Sequence, residues 1–542
     1  MSSYNSQLNN NNNENNEMIR NNSLLIEEEE FKKEESKNSQ IKFNQYINQL
    51  IDNMGFTKYH LILFLTNSFF LFCSGMQEII HVILLSLIDE SYNLSYYHFA
   101  LMNSIEYFGY TIATIIVNII TNYINRKRSI QIAILSSLIF TGLSLTSYNF
   151  YFAAFNRFFI GICMGILHIL IYLNLFESVP TQIRGFISSL IQLFFPLGCF
   201  TLSFVCYFEL IEGNKKLNYK ILLLIPFIIT CILCLFVIIF IEESPRNLFG
   251  KNKFQEGVEI MKKISNFNKD MNYMENKFNF NNIKRNYNEI ELANVKRELD
   301  KENNQIQKIN SNIINRSNIN IENIEELLRK YKKEKNIKLK FPIQKIFQSN
   351  YNYYTILFWI IASLAGFIFN GIFFMLPATA PKINKETFLD LVLFEGMEIP
   401  SNFIASLLIE NSSIGRLMIL RIGFFFTFLI SLMILYIGNN ILEFSCLLKF
   451  FLTIPITVLI VYSSEIYDSD IRTMGVSSIN FWRTISSLIS PFAMSYMVIH
   501  YGEFSTNFIF SIFLCFCSIM SLFFNTESRG IPLDEIIKIN YM

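Results

Sequence analysis

Twelve stretches of this chain are apolar for roughly twenty residues each, and no other feature limits the possible folds so strongly. They fall near 61–88, 99–123, 130–147, 151–176, 185–208 and 219–241, then near 354–377, 388–409, 417–437, 441–462, 474–499 and 504–524. A helix crosses the hydrocarbon of a bilayer in about 20 residues. Unpaired backbone groups are too costly in lipid, so each stretch is expected to be helical. The chain thus reads as an all-α membrane protein with twelve transmembrane helices. Composition agrees: 16% of the 542 residues are charged, against about 25% in soluble proteins.

The charges concentrate outside the spans, which sets the expected domains. Residues 1–55 are Asn-rich with an acidic run at 27–30, too polar to build a core, and are expected to form a disordered tail. Residues 56–241 hold the first six spans, 242–353 a polar central loop, 354–524 the second six spans, and 525–542 a tail. A net charge of +1 excludes a nucleic-acid partner. All nine cysteines lie in apolar runs, so no disulfide framework is expected, and Cys231 with Cys234 reads as packing. No metal-ligand cluster, nucleophile–base pair or phosphate-binding loop is evident. No metal, cofactor, ATP drive or enzymatic activity is expected.

Lys and Arg set orientation. Arg126, Lys127, Arg128, Arg184, Arg416 and Arg472 fall in or beside the even-numbered loops. Lys215, Lys216, Lys220, Lys382 and Lys385 dissent. The balance predicts a multi-pass protein with both termini cytosolic, in a plasma or vesicle membrane. Asn93 opens a glycosylation sequon in an outside loop, close to the bilayer.

The chain also repeats itself. Glu177 and Arg184 are echoed 288 residues later by Glu465 and Arg472. Asn125-Arg126 after the second span is echoed by Gly415-Arg416 after the eighth. Several further motifs carry a resemblance. "EESPRNLFGK" from Glu242, "VYSSEIYDSDIRTMG" around Glu465, "RFFIGICMG" from Arg157, "MGFTKYH" before the first span and "SRGIPLDEI" after the twelfth together resemble the major facilitator superfamily. The likeness is to its organic cation, synaptic-vesicle-type and sugar porter branches.

That resemblance implies the major facilitator fold: two pseudo-symmetric six-helix bundles around a mid-membrane solute site. It implies a monomeric transporter of a small organic solute working by alternating access, with an organic ion favoured and proton coupling open. Sugar or phosphate transport, and a transporter-like nutrient receptor without flux, remain alternatives. The sequence departs from the family pattern. Asn118, Asn122 and Asn125 replace the usual Gly, Asp and Gly of the second loop, Ser412 stands at the second copy's Asp, and Asp468 replaces a Pro. Paired glutamines of sugar porters are absent from the seventh span.

Two groups of residues become candidates. Arg126, Glu177 and Arg184 are expected to form one cytosolic gate cluster, and Arg416, Glu465 and Arg472 its counterpart, joined by Glu243 and Arg246. Such pairs form in one arrangement and break in the other, and Glu465→Gln is expected to favour the inward-facing state. With Asn122 and Ser412 uncharged, the latch is expected to be weakened. Within the membrane, Glu78, Glu106, Arg157, Glu395, Glu398, Lys449 and Arg483 are charges that need a purpose. Glu78 with Arg157 is the first candidate ion pair and proton-coupling site, although the family's acid position reads Gly75. Arg483 would favour an anionic solute, with Thr484 nearest the organic cation transporters' Asp. Asn370 and Gly371 are placed along the solute site. His81 and His168 read as packing residues.

Overall fold

The computed structural model describes residues 51–52, 55–92, 96–146, 149–211, 219–250, 253–266, 346–347, 351–379, 385–411, 414–437, 441–469, 471–531 and 533. The Asn-rich tail to residue 50, most of the central loop, Lys215, Lys216, Lys382, the sequon at Asn93 and Ser412 lie outside these residues. So do the side chains of His81, Asn122, Lys220 and Lys385.

Regular structure among the described residues is helical throughout. The first four spans are α1 (Lys58–Tyr92), α2 (Tyr96–Tyr123), α3 (Arg126–Ser144) and α4 (Phe150–Ser178). The fifth is α5 (Arg184–Leu190) and α6 (Phe194–Ile211), joined by a 3-10 turn at Ile191–Leu193, and the sixth is α7 (Tyr219–Phe240). Two short helices follow, α8 (Pro245–Gly250) and α9 (Phe254–Asn266). In the second half α10 (Asn352–Thr379) is the seventh span, and α11 (Lys385–Gly396) with α12 (Glu398–Ile409) makes the eighth. The ninth and tenth are α13 (Gly415–Ile437) and α14 (Ile441–Ile466). Finally α15 (Arg472–Leu522) holds the eleventh and twelfth, divided at Gly502. Its φ of 76° and ψ of 175° lie in a region open essentially to glycine.

Ten of the described helices are long and apolar enough to cross a membrane. The third span opens on Arg126, Lys127 and Arg128, and the eleventh carries Asn480, Arg483 and many serines. Both are helical but less apolar.

The two halves pack by the same rule. α2 lies on α4, as α12 lies on α14. α3 packs on α4 and α7, as α13 packs on α14 and α15. Between the halves, α2 meets the eleventh span, and the eighth span meets α5 and α6. Exchanging each span for the one six places on therefore reproduces the contact scheme. This is the expected pair of pseudo-symmetric bundles.

Close approach of backbones explains several glycines. A Cβ at Gly161 would collide with Glu106 O, and one at Gly109 with Phe158 O, so α2 and α4 touch along their small residues. Gly75 meets Phe195 O in the same way. No acid fits at position 75, and the first span's carboxylate stands one turn later, at Glu78.

The described residues that flank the spans pack against them. Ile51 is buried, and Asp52 accepts hydrogen bonds from Thr181 N at 2.7 Å and Thr181 Oγ1 at 2.9 Å. After the twelfth span, Tyr462 donates to Thr526 O at 2.8 Å, while Leu533 is buried in the first half's core. The last described residues thus bridge the two halves.

Candidate functional site

Every gate residue named from the sequence is buried: Arg126, Glu177, Arg184, Glu243, Arg246, Arg416, Glu465 and Arg472. The grouping differs from expectation, because the turns exchange partners across the interface. Glu177 takes Arg126 Nη1 at 2.6 Å from its own half and Arg472 Nη1 at 3.3 Å from the other. Glu465 takes Arg416 Nη1 from its own half and Arg184 Nη2 at 3.3 Å from the other. The reason is geometric. Each turn arginine starts the helix after its loop, α5 or the eleventh span, and these are the helices that face the opposite half. The Phe176 ring lies under both crossing guanidinium groups, 5.3 Å from Arg184 Cζ and 5.9 Å from Arg472 Cζ. Arg126 also crosses, donating to Thr473 Oγ1 at 2.7 Å.

A second symmetric layer was not anticipated. Ser244 donates to Glu177 at 2.9 Å, and Ser528 donates to Glu465 at 2.7 Å. Glu243 accepts Lys127 N at 2.9 Å at the start of α3, and Glu527 accepts Arg416 N at 3.0 Å at the start of α13. Carboxylates at helix N-termini satisfy orphan amides and oppose the dipole. The signal was present as "ES" after the sixth span and again after the twelfth. Arg246 is buried on α8, two residues after Ser244.

The expectation of a latch lacking its second-copy acid also needs correction. Glu410 supplies a carboxylate there, accepting Phe186 N at 3.1 Å in the first turn of α5 and lying 3.8 Å from Arg416. Burial raises this carboxyl above its ordinary range, with Arg416 and the Phe186 amide pulling the other way. On the first-half side the neutral Asn118 donates to Ser477 Oγ at 2.6 Å.

Between the halves lies a cavity of about 180 Å³. Its wall includes Glu78, Tyr107, Asn370, Glu398 and Arg483, with the amides of Asn67, Gln192, Asn402 and Asn480. His168 also lines it and shares a hydrogen bond with Ser74 Oγ at 2.8 Å.

The expected Glu78–Arg157 ion pair is not made. Arg157 pairs with Glu106 and donates to the backbone carbonyls of Gln77 at 2.5 Å and Glu78 at 3.3 Å. The glycine contact between α2 and α4 holds Glu106 against Arg157, while Glu78 turns toward the cavity. There Tyr107, a residue the sequence did not single out, stands between Glu78 Oε1, at 2.5 Å, and Asn370 Oδ1. Asn370 is oriented by donating Nδ2 to Gly366 O at 3.0 Å and Ser487 Oγ at 2.7 Å. One phenolic proton cannot serve two acceptors. The set is complete when Glu78 itself carries a proton and donates it to Tyr107.

Arg483 packs against Gly366 and meets no carboxylate at ion-pair distance among the described residues. Thr484 is a neutral link between halves, accepting Thr111 Oγ1 at 3.0 Å. Lys449 pairs with Glu395 at 2.8 Å and Glu398 at 3.1 Å. Gly371 packs against Phe510.

Comparison with known proteins agrees with this architecture. The chain is similar to the E. coli (strain K12) inner membrane metabolite transport protein YdjE, 22% identical over 91% of this chain and 99% of that one. Sugar transport protein 8 of Arabidopsis thaliana is 29% identical over 30% of this chain and 32% of its own. Among solved structures, the proton:xylose symporter XylE bound to 6-bromo-6-deoxy-D-glucose superposes with a TM-score of 0.64 at 15% identity, covering 89% of this chain and 99% of that one. FucP in its outward conformation gives 0.56 at 14% identity, over 86% and 99%. The Major Facilitator Superfamily profile matches residues 68–448. With its paired bundles, the cavity between them and that match, the chain belongs to the major facilitator superfamily and is a membrane transporter rather than an enzyme.

Proposed function

We propose that the protein is a secondary transporter that moves a small polar organic solute by alternating access, with the even-loop face in the cytosol. The observation that carries this is the cavity between two pseudo-symmetric halves whose even-loop ends are joined by exchanged Arg–Glu pairs. Such contacts can be made in one state and released in the other. Arg483 in the cavity wall supports an anionic solute, a hydroxylated organic acid. The Glu78–Tyr107–Asn370 chain supports proton coupling, because it is satisfied only with an added proton. A neutral sugar is the second reading, supported by the five wall amides and by the sugar-transporting relatives.

Purified protein in proteoliposomes tests this with labelled hydroxy acids, sugar acids, neutral sugars, organic cations and phosphate at two external pH values. Saturable uptake of an organic acid, stimulated by external acid, is the expected result. Uptake of neutral sugars alone selects the second reading. Binding without flux across the whole panel overturns transport and favours a receptor.

A further inference from the structure

We propose that Lys449, Glu395 and Glu398 form a second proton-carrying site, in the second half and separate from Glu78. Glu395 lies in the last turn of α11 and Glu398 begins α12; Met397 between them keeps helical angles (φ −68°, ψ −22°). Three residues apart on one helical face, both carboxylates reach one ammonium on α14. Lys449 Nζ donates to Glu395 Oε1 at 2.8 Å. Glu398 Oε2 stands 3.1 Å away but accepts no well-directed hydrogen bond. The Phe394 ring, 4.2 Å from Nζ, and the Phe369 ring, 5.6 Å away, shield the ammonium from water.

Charge counting makes the site titratable. All three side chains are nine-tenths or more buried, and two carboxylates against one ammonium leave one negative charge in excess. Among the described groups acting on the cluster are Glu78 across the cavity and the Cys199 thiol on α6, neither of them a cation. The cavity's Arg483 acts on Glu78. Two like charges at one buried site are disfavoured, so one of the carboxylates is the place for a proton. Glu398 is that place because it lines the cavity, whereas Glu395 is sealed behind it. The proton passes from hydronium in the cavity to a carboxylate oxygen and returns to water by the same route; no electrons move.

The first half has a related arrangement at the cavity: Arg157 is paired with Glu106, and Glu78 faces the cavity, where Arg483 of the second half also acts on it. Each half thus seals one acid against a base and leaves a second acid open to the cavity.

The test is pH-difference infrared spectroscopy on the full-length protein in lipid nanodiscs without solute. Two protonated-carboxyl bands that shift in D2O are expected. Glu398→Gln should remove one and leave the other. Glu395→Gln should also abolish the Glu398 band, because it leaves Glu398 matched one to one with Lys449 while keeping the cavity wall. This variant carries the test if Glu398→Gln does not fold. Retention of both bands in Glu398→Gln, or an unchanged Glu398 band in Glu395→Gln, overturns the proposal. Glu78→Gln should remove only the other band, and failure there strikes the proton-coupling reading alone.

Discussion

Arg184→Gln isolates the contribution of one gate contact that spans the halves. Arg184 donates hydrogen bonds only to second-half groups among the described residues, Glu465 at 3.3 Å and Ile531 O at 3.2 Å. Its loss does not strand Glu465, which keeps Arg416 and Ser528. The variant therefore removes a charge-assisted contact of about 2 kcal/mol without creating an unpaired buried acid. At about 1.4 kcal/mol per decade, the joined state loses roughly a 30-fold advantage. A cysteine at Ser463, buried on the cavity wall two residues before Glu465, reports the opening through its rate of reaction with a soluble thiol reagent. The described native cysteines are buried or half-buried and provide a slow background. If opening precedes labelling and the open state is minor, the rate should rise about 30-fold. An unchanged rate in a variant of unaltered thermal unfolding would refute a latch that depends on this contact.

Three other outcomes follow from the same geometry. Gly161→Ala places a methyl against Glu106 O and should lower stability by about 1–3 kcal/mol, read as a fall in thermal unfolding temperature. Tyr107→Phe breaks the link between Glu78 and Asn370; uptake should lose its stimulation by external acid while solute binding persists, and unaltered pH dependence counts against coupling there. Arg483→Gln should cost about 10- to 100-fold in affinity for a carboxylated solute, with little effect on a neutral one, as measured by competition of uptake.

The helices and the internal echo were legible because hydrocarbon thickness fixes helix length and because Glu177–Arg184 recurs at Glu465–Arg472. The exchange of partners between those turns was not legible. Spacing along a chain says which residues share a loop, not which loop faces it across an interface. Arg157 shows the same limit at shorter range. The sequence put Glu78 first as its partner, and the glycine contact between α2 and α4 selects Glu106 instead. The acid at Glu410 escaped notice because the two copies differ by two residues in that loop, so a fixed offset pointed to Ser412 instead. Ser528 lay in a motif noted only for its resemblance, and nothing along the chain says that it and Glu527 fold back onto Glu465 and Arg416.

The bridge formed beyond the twelfth span has a practical consequence for anyone shortening or labelling this protein. Trimming at residue 525 would spare all the membrane-crossing helices. It would still delete the Ser528 hydroxyl on Glu465, the Ile531 carbonyl under Arg184 and the Leu533 plug in the opposite half. Such a shortened chain would insert normally yet idle in the wrong posture, and a bulky fluorophore attached near Leu533 would act like a doorstop.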